Sequence, residues 1–152
     1  MNRDDATKEA GDALEKLGTR VLDAAFKVNR GLCPGPLESA YEMAFCHELA
    51  AMQLRFERQK DLPVDYKGTL LDCGYRVDLL IGGKIIIELK CVESLQPIHE
   101  ARLLTYLKPA DKRLGFLNIL NVRLFKQGIK RIVNDFPDAS RKTISHFRSS
   151  RP

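Results

Sequence analysis

The sequence predicts an α/β fold, a mixed central sheet with helices packed on it. Two observations carry that prediction. Helical and strand-like patterns follow one another as helices, strands, a helix, then strands again. At the centre, the stretch from Tyr75 to Lys90 sets two short β-branched, apolar runs on either side of the pair Gly82-Gly83. That composition is a β-hairpin rather than a helix. The chain has 152 residues, 44% of them hydrophobic, enough for one domain around a single sizeable core.

Residues 1–9 are polar and are expected to fray, leaving a single domain over 10–136. Leu14, Leu17, Val21, Ala25 and Val28 recur at helical spacing and give an amphipathic helix that ends near Gly31. The run from Gly31 to Pro36 is a cluster of breakers and must be a loop. Pro36 suits the first turn of a second helix, expected to reach Leu54 with Leu37, Tyr41, Ala44, Phe45 and Leu49 facing inward. A strand over 55–66 follows, in which Pro63 argues against a central, fully paired position. Leu70 to Ile81 and Ile85 to Val92 are the hairpin strands. Pro97 opens a helix that runs to Lys108, just before Pro109. Strands are expected over 113–120 and 122–125, and 128–136 fits a strand or a short helix. Residues 137–152 carry Arg141, Lys142, Arg148 and Arg151 among serines and read as a basic, disordered tail.

The formal charge of +5 permits nucleic-acid contact without demanding it. The four cysteines (Cys33, Cys46, Cys73 and Cys91) form no C-x-x-C pair and no ligand spacing with histidine, so they are expected to be reduced, mostly buried thiols in a cytoplasmic protein rather than a zinc site. No secretory signal is visible, and no apolar run approaches the length of a membrane span.

Chemistry concentrates in the hairpin. Burying an unpaired carboxylate costs several kcal/mol, so Asp78, Glu88 and Lys90 inside apolar strands need a reason. Glu88 and Lys90 leave the same face of their strand. Two carboxylates and an ammonium on one face suit a hard divalent cation and an activated water; the alternative is a cross-strand ion-pair cluster. Register decides whether the carboxylates can meet. A two-residue Gly82-Gly83 loop would put Asp78 and Glu88 on opposite faces, so a shared site requires a three-residue loop, Gly82 to Lys84, or a bulge.

Asp78 followed by Glu88-Leu89-Lys90 resembles the Asp…Glu-x-Lys signature of the PD-(D/E)XK nuclease superfamily. Gly35-Pro36-Leu37-Glu38-Ser39-Ala40-Tyr41 matches the Gly-x-x-Glu-x-x-Tyr motif of its GxxExxY family, and His99 to Leu107 resembles that family's His-x-x-Gln-Leu-Leu-x-Tyr-Leu helix, with Arg102 where glutamine is expected. The three segments keep the family's order, and the resemblance runs from about Gly18 to about Asn134.

The resemblance implies an αβββαβ core and a nuclease acting on nucleic acid, DNA ahead of RNA, with Mg²⁺ (or Mn²⁺) as cofactor. Asp78, Glu88 and the backbone carbonyl of Leu89 would hold the metal, and Lys90 would orient or activate the water. Glu38 would reach the same centre as an outer ligand or water-positioning group; read alone, it is a carboxylate favoured by a helix N-terminus. Tyr41, Glu93, His99, Arg102 and Tyr106 would bind substrate or support the centre. His99, Arg102 and Tyr106 share one helical face. Arg102 would grip a phosphate, or pair with Glu38 or Glu93 and displace the metal. The second outcome defines the alternative, a catalytically idle module that binds nucleic acid or a protein partner. With no separate DNA-reading domain, specificity would be weak or supplied by a partner; a protein partner or a homodimer is the assembly expected.

Overall fold

The structure, a computed structural model, describes residues 2–134, the side chains of residues 72–74 excepted. The tail 137–152 and the Cys73 thiol therefore lie outside the described residues. Helix α1 (Arg3–Leu32) begins within the stretch expected to fray: Asn2 caps it by accepting from the Asp5 N–H, and Asp4 and Asp5 sit in its first turn where the helix dipole favours them. The stripe Val21, Ala25 and Val28 is buried as predicted. At Gly18 a Cβ would come within 3.2 Å of Leu114, so a small residue lets α1 lie close to the sheet.

Helix α2 (Glu38–Ala51) is shorter than expected. Pro36 precedes it, and Leu37 is its extended N-cap, 75% exposed rather than inward. Tyr41, Phe45 and Leu49 are buried as predicted, and so are Glu42 and Cys46. Strands β1 (Phe56–Tyr66), β2 (Thr69–Ile81) and β3 (Ile85–Lys90) follow, then α3 (Pro97–Leu107), β4 (Leu114–Ile119), a short helix α4 (Phe125–Gly128) and β5 (Ile129–Val133). From α2 to β4 the order is αβββαβ, as expected.

Among the described residues the sheet has five strands in the order β1-β2-β3-β4-β5. Of these described strands only β3 and β4 pair in parallel, joined by the α3 crossover. Strand β1 is an edge, and its register shifts between Leu62 and Val64, at Pro63, which has no N–H to give a ladder. The strand expected over 122–125 does not form. Strands β4 and β5 pair directly, Asn118 opposite Ile129, so the intervening residues are the turn between them. That turn is tight at Gly128, where a Cβ would lie 2.5 Å from the Ile119 carbonyl oxygen.

One face of the sheet packs Leu79, Ile81, Ile85, Ile87, Leu89 and Phe116 against α1 and α2. The other packs Val77, Leu80, Ile86 and Leu117 against Leu103 and Leu107 of α3. Strand β3 is covered on both sides, which is why it reads as an unbroken apolar run, and each buried isoleucine contributes about 1.5–3 kcal/mol. The described cysteines are free thiols: Cys46 is buried, Cys33 partly so, and Cys91 is exposed, against the expectation of burial. Among the described residues no helix is long and apolar enough to cross a membrane.

Candidate functional site

The hairpin register is the one a shared site requires. Ile81 pairs with Ile85, Leu80 with Ile86 and Leu79 with Ile87, leaving Gly82, Gly83 and Lys84 as a three-residue loop. Both glycines have positive φ, 60° and 68°, a region other residues enter at a cost. One step further along this register, Asp78 stands opposite Glu88.

There the backbone ladder ends and side chains take over. The Asp78 N–H donates to Glu88 Oε1 at 3.1 Å, and the Leu89 N–H donates to Asp78 Oδ2 at 2.7 Å. The strands part around the two carboxylates. Strand β2 turns over at this point: Leu79 joins the core under α1 and α2, while Val77, two residues away, joins the core under α3.

Desolvation dominates the electrostatics. Burial, reinforced by the charge of Asp78, pushes the Glu88 carboxyl up to about 8. Burial also raises Asp78, against the Leu89 N–H and the Gln59 amide, which favour its charged form. Glu38 is the first residue of α2. It too is raised, by burial and then by Asp78, so α2 brings it within reach of the same field. The Lys90 ammonium is close enough to lower all three carboxyls. The structure thus pairs Asp78 with Glu88 and leaves Lys90 and the exposed Glu38 within electrostatic reach of them.

The other predicted residues divide. Tyr106 is half-buried on α3, stacked on Tyr75 with ring centroids 4.5 Å apart, and its hydroxyl is raised by burial and then by Glu88. Arg102 is exposed on the same helix; among the described residues it forms no ion pair with Glu38 or Glu93, and its charge reaches Tyr106. His99 caps its own helix, Nδ1 accepting from the Gln96 N–H at 3.1 Å, so a neutral ring carries its proton on Nε2. Glu93 is exposed after β3. Tyr41 is fully buried and offers a substrate no surface: its hydroxyl donates to the Ala25 carbonyl at 3.1 Å and accepts from Asn118 Nδ2 at 2.7 Å, tying α2 to α1 and β4.

Two site neighbours escaped the sequence reading. Glu42, one turn beyond Glu38, is buried to 6% exposure and bonds to Gln59 at 3.0 Å and to Arg58 at 3.5 Å. Gln59 in turn donates to Asp78 Oδ1 at 3.3 Å. The i, i+4 spacing of Glu38 and Glu42 was a visible signal. Gln59 had none, because it meets Asp78 only through the pairing of β1 with β2.

Among the described residues no three His, Cys, Asp or Glu side chains lie close enough to hold a metal by themselves. The donors still fit a magnesium-like ion, which takes one or two carboxylates and keeps several waters. Asp78 and Glu88 are such a pair, hard oxygens in a desolvated gap where positive charge would relieve their repulsion.

A family model of the PD-(D/E)XK nuclease superfamily matches residues 15–132. The chain belongs to that superfamily. The matched span runs from α1 into β5 and includes every residue of the carboxylate and lysine cluster. No curated protein matches the chain. Membership in the PD-(D/E)XK superfamily supports a nuclease-like function and, with it, contact with nucleic acid. Nucleases of this superfamily generally work with divalent metal ions.

Proposed function

We propose that this PD-(D/E)XK protein is a Mg²⁺- or Mn²⁺-dependent phosphodiesterase of the GxxExxY group, acting on DNA ahead of RNA. The observation that supports this most is the placement of Asp78 opposite Glu88 where β2 and β3 part, with Lys90 and Glu38 in the same field. Asp78, Glu88 and the Leu89 carbonyl would hold the cation. When bound, the cation supplies positive charge to the phosphate and makes a nearby water more acidic. Lys90 orients the attacking water, or takes its proton as the neutral amine, and as an ammonium holds charge that develops on the phosphate oxygens. Glu38 positions that water from the start of α2. Arg102, exposed on α3 beside Tyr106, grips a backbone phosphate of the substrate. Tyr41 fixes α2, and therefore Glu38, from beneath.

The test is cleavage of end-labelled single- and double-stranded DNA and RNA with Mg²⁺ or Mn²⁺. Wild type should cut DNA. Lys90→Ala should still bind cation and lose cleavage by about 10²–10⁴-fold, the usual contribution of a positioned acid–base group. If wild type binds cation yet cuts none of the four substrates, the idle module that binds nucleic acid or a protein partner takes the place of the enzyme.

A further inference from the structure

Gln59 lies in the first half of β1 with φ of 47°, the left-handed region that a side chain of its kind seldom enters. The pairs on both sides, Arg58 with Leu79 and Lys60 with Val77, keep one register, so Gln59 lies opposite Asp78 while dropping out of the ladder itself. Such a residue persists where its surroundings over-determine it. Here the surroundings are two carboxylates. Its Nε2 donates to Glu42 Oε1 at 3.0 Å and to Asp78 Oδ1 at 3.3 Å. Ionised carboxylates only accept, so the nitrogen of this amide, not its oxygen, must face them. Asp78 is then held at both oxygens, Oδ1 by Gln59 and Oδ2 by the Leu89 N–H. Glu42 is steadied from the far side by Arg58 at 3.5 Å.

We propose that Gln59 is a positioning residue for the cation site: its amide clamps Asp78 between β3 and the buried Glu42 of α2, presetting the carboxylate for a small cation. This rests on the reading of Asp78 and Glu88 as cation ligands. A preset carboxylate matters most for Mg²⁺, which demands near-octahedral geometry, and less for Ca²⁺, whose coordination is flexible. Gln59 therefore sets selectivity as well as affinity.

The experiment is calorimetric titration of the full chain with Mg²⁺ and with Ca²⁺, for wild type, Gln59→Ala, Gln59→Asn and Asp78→Ala. Asn tolerates positive φ but is one methylene too short to span both carboxylates, so Gln59→Asn keeps the backbone and removes the clamp. Both Gln59 variants should lose about 10–100-fold in Mg²⁺ affinity, the usual range for a partner of a metal ligand, and should lose less for Ca²⁺. The proposal is overturned if Gln59→Asn, or a folded Gln59→Ala, binds both cations as wild type does, or loses both equally. Wild type and Asp78→Ala keep that failure separate from failure of the cation reading. If wild type binds neither cation, or Asp78→Ala binds as well as wild type, the cation reading falls and this proposal with it. If wild type binds and Asp78→Ala does not, while Gln59→Asn matches wild type, only the clamp falls.

Discussion

The two ends of the β2–β3 hairpin are built from one register and behave as opposites. At the loop end, Leu79, Leu80, Ile81, Ile85, Ile86 and Ile87 pair through the backbone and are buried on both faces. At the open end, one step beyond, Asp78 and Glu88 replace carbonyls as the partners of backbone N–H groups, and the strands separate. The loop end contributes stability and no chemistry. The open end sets the buried Glu88 against the half-buried Asp78, with Lys90 and the exposed Glu38 in their field, at the expense of stability when no cation is present. One apolar ladder can thus anchor a strained polar site at its edge.

That division can be broken most severely at the loop end. Ile87 is 1% exposed, and Ile87→Ala should cost about 2–5 kcal/mol in chemical denaturation, from lost burial and the cavity left behind. Cation affinity per folded molecule should hardly change. A large loss of affinity with little loss of stability would show that the two ends are not separable.

The open end should respond to pH with the opposite sign from most carboxylates. The Glu88 carboxyl rises from about 4.5 in the unfolded chain to about 8 in the fold. Its stabilising form is the protonated one, fully present below about pH 4.5. The metal-free protein should therefore lose stability as pH climbs from 4.5 to 8 and level off above that, at no more than about 1.4 kcal/mol per pH unit. Glu88→Gln should flatten this dependence and abolish cation binding. Urea midpoints across that range that are equally steep in both proteins would contradict the assignment.

The smallest effect belongs to the link between the two regions. Tyr41→Phe removes the hydroxyl shared by Ala25 and Asn118, a loss of about 1 kcal/mol by thermal or urea unfolding. Cation affinity should stay within about twofold, because Tyr41 steadies Glu38 and touches neither Asp78 nor Glu88. A Tyr41→Phe variant that bound cation tenfold more weakly would place Glu38 among the direct ligands.

Much of this was legible in the sequence, for physical reasons that differ by residue. If Asp78 and Glu88 share a site, side-chain parity requires a three-residue loop or a bulge, because strands alternate with period two, and the loop is what forms. Pro63 argued against a central, fully paired place for β1, which is an edge. The helical stripe of α1 and the inward faces of Tyr41, Phe45 and Leu49 followed from periodicity. Failures fell where tertiary pairing overrides local pattern. Val122 to Phe125 looks like a strand, but β5 takes the place beside β4 and turns that stretch into a connection. Leu37 looks like core but serves as an extended N-cap. Gln59 sits in a polar run, and Glu42 stands between Tyr41 and Met43 with only its spacing from Glu38 to mark it. Only the fold, and the left-handed backbone at Gln59, turns them toward Asp78.

The most direct test of the central claim is the shift in melting temperature on adding Mg²⁺ or Mn²⁺ to wild type, Asp78→Ala and Glu88→Ala. A cation that binds only the folded chain stabilises it by about 2.7 kcal/mol at one hundred times its dissociation constant. Wild type should therefore melt several degrees higher with cation, and both variants should lose the rise while melting no lower than wild type without it. A wild type that shows no shift with either cation would contradict the claim, leaving Asp78, Glu88 and Lys90 as an ordinary cross-strand ionic cluster.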